Sequence, residues 1–108
     1  MLRHAVISCL VLWAACVPAQ GIPVSPGLWD RPRSATAVLG ETGVKQAVSA
    51  YLAQPGSRLV IRHGTAQDAA LQAEELRSWL VALAVESGHI TLERDLKPGE
   101  ALRVEVRR

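Results

Sequence analysis

The chain has 108 residues, 49% of them hydrophobic, which is enough for one small domain. Twelve basic side chains against ten acidic ones leave a formal charge of +2, a balance that excludes the composition of a nucleic-acid binder or a polybasic membrane patch. Cys9 and Cys16 are the only cysteines and both lie near the start, so everything after them must fold without a disulfide or cysteine-ligated metal.

Residues 1–19 have the three-part layout of a bacterial secretory signal. Arg3 and His4 form a short positive start, residues 5–15 an apolar run broken by Ser8 and Cys9, and Val17, Pro18 and Ala19 the small residues of a cleavage site. The run is shorter than the roughly 20 apolar residues that span a bilayer. Cleavage after Ala19 predicts a periplasmic protein of 89 residues. Two alternatives stay open: lipidation at Cys16, which follows Ala14 and Ala15 as in a lipoprotein signal, and an uncleaved anchor. Either would place the protein on a membrane, where several acyl chains hold far better than one.

Residues 20–33 carry Pro23, Pro26, Pro32, Gly21 and Gly27 without periodic apolar spacing and read as a linker. Within it, Trp29 reads as a packing anchor rather than a ligand contact. The domain is expected over residues 34–108. Residues 34–39 could form a first strand, with Ala35, Ala37 and Leu39 on one face. Val44, Ala47, Val48, Tyr51 and Leu52 then recur at helical spacing, with Thr42 as N-cap. Pro55 and Gly56 end that helix, and a strand over residues 57–63 turns Leu59 and Ile61 inward.

Thr65 and Asp68 have the spacing of a capping box for a long second helix. Leu76, Trp79, Leu80 and Leu83 form its apolar stripe, Glu74, Glu75, Arg77 and Ser78 its wet side, and Gly88 suits a left-handed exit. Ile90 and Leu92 alternate in a third strand. A turn at residues 97–100 leads to a fourth, in which Leu102, Val104 and Val106 alternate with Arg103, Glu105 and Arg107. The last two strands are expected to pair as an antiparallel hairpin. The order β-α-β-α-β-β, with one wet sheet face, predicts an α+β two-layer sandwich: two helices on one face of a four-stranded mixed sheet.

The stretches AVSAYLAQPGSRLVIRHG and AEELRSWLVALAVESGHI, with LRVEV at residues 102–106, resemble the C-terminal domain of the OmpA family. The resemblance covers most of residues 34–107 and implies a peptidoglycan-associated domain of the outer-membrane envelope. In that family an Asp and an Arg grip the charged ends of diaminopimelate. Here the segment after His63 is shorter by roughly two helical turns. The position of the family's Arg holds Gln72, and Asp68, or less directly His63 and Thr65, would stand for the acidic site. A helix usual before the last strand is also missing.

The residues also have plainer readings. Asp68 reads as the capping-box partner of Thr65, His63 and His89 lack a third ligand at metal spacing, and Glu74 and Glu75 point to different sides of a helix. Arg58, Arg62, Arg103 and Arg107, interleaved with Glu93 and Glu105, read as a solvated mixed-charge face. No nucleophile stands in a recognisable catalytic motif. These features together predict a small non-enzymatic envelope protein without cofactor or metal, its domain reused to bind an envelope protein partner. Peptidoglycan binding through Asp68 is the first alternative, and a small periplasmic hydrolase or inhibitor the second.

Overall fold

Leu59, Val60 and Ile61 are three consecutive buried side chains, and an apolar run of this kind belongs to a central strand. They lie in a computed structural model that describes residues 21–108, so Cys16, Ala19 and the rest of the expected signal fall outside it. The strand, β2 (Arg58–His63), is flanked on both sides. The other elements are β1 (Ile22–Pro23), α1 (Ala35–Leu39), α2 (Thr42–Ala53), α3 (Gln67–Ala82), β3 (Ile90–Arg94) and β4 (Arg103–Arg107), with short 3-10 helices at Pro26–Asp30 and Ser87–His89.

The sheet order is β1-β4-β2-β3. α3 carries the chain from β2 over to a parallel β3, as such a crossover requires, while β4 runs antiparallel to both β2 and β1. α2 packs on β1 and β4, and α3 on β2 and β3. The fold is an α+β two-layer sandwich on a mixed four-stranded sheet. Leu59, Ile61 and Val104 meet Leu76, Leu80, Val44 and Ala47 in one core.

The expected hairpin between the last two strands does not form, because β3 and β4 lie on opposite sides of β2. The register explains the choice: Leu59 stands opposite Val106 and Ile61 opposite Val104, so β4 closes the core from the flank that β3 leaves open. Residues 95–102 are long enough to make the crossing.

Residues 34–39 are helical, not extended. The Ser34 hydroxyl accepts the Ala37 amide at 3.1 Å, which satisfies an orphan donor of the first turn, and Val38 is the side chain that this turn buries. The first strand comes instead from the expected linker. Ile22 pairs with Val104, and Ile22, Val24 and Leu28 are buried, so residues 22–33 form a strap across the domain. Their prolines are compatible with it: Pro23 sits in a two-residue edge strand and Pro26 opens a 3-10 helix capped by Ser25. Trp29 packs against the core, as an anchor would.

Helix ends differ by a residue or more from their expected places. The α2 cap is Glu41, whose carboxylate accepts the Val44 amide at 3.2 Å, rather than Thr42. α3 has Ala66 at its N-cap, so Thr65 lies one place too early for a capping box, and Asp68 accepts the amide of Ala69 instead. The left-handed exit is at Ala84 (φ 79°), not Gly88. Val85 donates back to the Leu80 carbonyl and Ala84 to that of Val81, which is a Schellman motif. The turn at residues 97–100 forms as expected: Glu100 donates to the Lys97 carbonyl at 3.1 Å, and Gly99 takes a φ of 87°.

Candidate functional site

α3 presents Asp68, Gln72, Glu75 and Trp79 at spacings of four, three and four residues, so all four lie along one stripe of the helix. The strap crosses this stripe. At its far end Arg33 grips Glu75 with two parallel bonds, Nε to Oε2 at 2.7 Å and Nη2 to Oε1 at 2.9 Å. Trp79 donates its indole N–H to the same carboxylate at 3.1 Å. The Arg33 guanidinium also donates to the carbonyls of Trp29 and Arg31 and lies 5.7 Å from the centre of the Trp29 ring.

These bonds pull the Glu75 carboxyl below its ordinary range, chiefly through Arg33 and next through Trp79, against an opposing effect of burial. They raise the Arg33 guanidinium correspondingly. Glu75 was expected on the wet side of the helix; it is instead the anchor of the strap. No spacing rule links residues 42 positions apart.

At the other end of the stripe, a cleft of about 290 Å³ opens between the strap, the start of α3 and the turn before β4. Asp68, Gln72, Trp29, Gly64 and Glu100 line it. Glu100 is held in place by accepting the Lys97 amide at 2.7 Å, and no arginine or lysine belongs to the lining. Two carboxylates beside an indole make an environment that favours a cation, since the ring face adds to the attraction of the acids.

Of the three residues singled out in the sequence for ligand binding, the cleft includes Asp68 alone. His63 is buried on the core side of β2 and bonds through Nδ1 to the Gly64 carbonyl at 2.9 Å, while Thr65 is exposed at the turn. Gln72 does share the cleft with Asp68. Trp29 and Glu100 were not foreseen as cleft residues, because the strap and the turn meet α3 only in three dimensions.

A second cluster joins α2 to the entry of β3. The Tyr51 hydroxyl lies 2.7 Å from His89 Nδ1, and His89 Nε2 lies 3.3 Å from a Glu86 oxygen. A neutral imidazole can satisfy both contacts, accepting from tyrosine and donating to glutamate. Among the described residues, no group of three or more His, Cys, Asp or Glu side chains is arranged to hold a metal ion.

The outer face of the sheet carries Arg58, Arg62, Arg103 and Arg107, with Glu93 and Glu105 between them. Arg107 bonds to Glu93 at 3.0 Å and to Glu105 at 2.7 Å, and Arg62 to Asp95 at 3.1 Å. These partners raise both guanidiniums above their ordinary value, Arg107 chiefly through Glu93 and Arg62 through Asp95. Arg62 and Arg107 are therefore held in ion pairs on this face, where Val60, which points away from the core, is only 1% exposed.

No protein-family model matches the chain, and no curated protein or solved structure matches it either. The α+β sandwich stands on the coordinates, and the likeness to the OmpA family stands on the sequence motifs alone.

Proposed function

We propose that the protein is a non-enzymatic binding module of the bacterial cell envelope, accessory to an envelope protein partner, and that the cleft at Asp68 receives a lysine ammonium group of that partner. The observation that carries this reading is the meeting of Asp68, Glu100 and the Trp29 indole in one cleft whose lining holds no basic side chain. An ammonium group entering it exchanges hydration for two carboxylates and a π face, so the loss of water is compensated. The secretory layout of residues 1–19 supplies the envelope address.

Peptidoglycan is the second reading, favoured by Asp68 and Gln72 lying together as the OmpA resemblance implies. Charge argues against it. The free end of diaminopimelate carries a carboxylate beside its ammonium group, and Gln72 gives no positive charge to meet it. A carboxylate placed near Asp68 and Glu100 would be repelled.

Zero-length carbodiimide cross-linking in intact cells, followed by peptide mass spectrometry, separates the two readings, because it joins a carboxylate to an amine in direct contact. The expected product links Asp68 or Glu100 to a lysine of an envelope protein and disappears in Asp68→Asn with Glu100→Gln. Absence of that product, together with sedimentation on purified sacculi that Asp68→Ala abolishes, would establish the peptidoglycan reading in its place.

A further inference from the structure

The near-neutral composition hides an uneven distribution of charge. On the outward strand positions four arginines face two glutamates, and the arginines stand directly opposite one another: Arg58 across from Arg107, and Arg62 across from Arg103. Like charges in such positions destabilise a sheet. In each pair one member has carboxylate partners, Arg107 with Glu93 and Glu105, and Arg62 with Asp95. The other member has none among the described residues. Arg58 is exposed, and Arg103 makes one bond, from Nη1 to the Gly21 carbonyl at 3.3 Å. The two residues without carboxylate partners therefore sit at opposite ends of the β2–β4 ladder, four residues or about 13 Å apart along the strand direction, on the face that carries no helix.

From these positions we infer that the open sheet face is a docking surface for an anionic phospholipid bilayer. Two observations point to a bilayer rather than to another anion. The positive groups are spread along the β2–β4 ladder instead of converging on a point. The path of the chain gives the second. Gly21, which bonds Arg103, is separated from the apolar run at residues 5–15 by five residues, a span of at most about 20 Å. With the strap docked, no long linker lies between that apolar run and the domain. Where the run stays in a membrane uncleaved, or acyl chains on Cys16 replace it as the anchor, the Arg103 corner is held near the bilayer surface. This use of the sheet face is separate from the cleft, which opens on the helical side at the start of α3.

The test is co-sedimentation of the full chain with phosphatidylcholine vesicles, with and without phosphatidylglycerol. The N-terminus, with Arg3 and His4, favours the anionic vesicles equally in wild type and variant, so the part of that preference lost on changing the sheet arginines reads the sheet face. Partition onto the anionic vesicles should be up to about thirtyfold stronger, the effect of two basic groups near such a surface, and should fall as salt is raised. The double variant Arg58→Gln, Arg103→Gln should keep only the weaker preference that the N-terminus gives. Because neither side chain has a carboxylate partner and each faces a like charge, its thermal unfolding should be at or slightly above that of the wild type, and Asp68→Asn, which tests the cleft, should leave the lipid preference unchanged. Equal partition of the wild type, or an anionic preference that is undiminished in the double variant, would overturn the inference. So would binding to polyglutamate, lost in the double variant, without any preference for anionic vesicles, which would make the face a site for an acidic protein.

Discussion

Arg33 and Glu75 join the strap to α3 through a two-bond fork, with Trp79 donating to the same carboxylate and Trp29 beneath the guanidinium. Through that pair, a segment rich in proline and glycine becomes a wall of the only site where Asp68, Glu100 and an indole meet among the described residues.

Replacing Glu75 with Gln should cost about 0.5–1 kcal/mol at neutral pH, a low figure because both side chains remain about a third exposed to screening water. The sign of the pH dependence follows from the lowered folded-state pKa. The stabilisation is fully present above the ordinary value of 4.5 and fades as pH falls through the lower folded value. Urea titrations of wild type and variant at a series of pH values should therefore differ at pH 7 and converge in acid. A gap that widened in acid would contradict the assignment.

Gly43→Ala tests the docking of the strap. In a helix the change normally stabilises by up to about 1 kcal/mol, but here a Cβ would run into the Pro23 carbonyl oxygen. Backbone cannot move aside as a flexible side chain can, so a loss of about 1–3 kcal/mol is expected, with faster proteolysis within residues 22–33. A higher melting temperature would show that the strap is not tightly seated.

Ala84→Gly should stabilise. Ala84 holds φ at 79° in the Schellman turn that ends α3, a region costing a residue with a Cβ about 1–2 kcal/mol, part of which glycine returns as greater freedom in the unfolded chain. A net gain of about 0.5–1 kcal/mol should appear as a raised midpoint in urea.

On the open face, Arg107→Ala and Arg58→Ala should behave differently although the two residues are cross-strand neighbours. Arg107 bridges Glu93 and Glu105, and its loss should cost about 0.5–1 kcal/mol, less in high salt. Loss of Arg58 removes a like charge opposite Arg107 and should be neutral or slightly stabilising. Chemical denaturation of both variants at two ionic strengths reads the contrast, and equal losses would mean that the ion pairs of this face are not organised around Arg107.

Much of the architecture was legible in the sequence. Alternation at Leu59 and Ile61, at Ile90 and Leu92, and at Leu102, Val104 and Val106 marks three strands, and helical spacing at Val44, Ala47, Leu76 and Leu80 marks the helices whose faces are buried. The cleft was legible only in part, at Asp68. Gln72 was recognised for its identity, but Trp29 and Glu100 reach the same cleft from segments with no periodicity of their own.

Periodic burial is a local property: a stripe of apolar side chains on one helix or strand declares which face must leave water, whatever it then meets. By that route the chain by itself determined the α+β class, and its composition determined that nothing after Cys16 can rely on a disulfide. Pairing is not local. Whether β4 lies beside β3 or across β2, whether residues 22–33 hang free or bind α3, and whether Glu75 meets water or Arg33 depend on partners tens of residues away. Those choices are made only when the shared core closes, and they were decided by the tertiary structure alone.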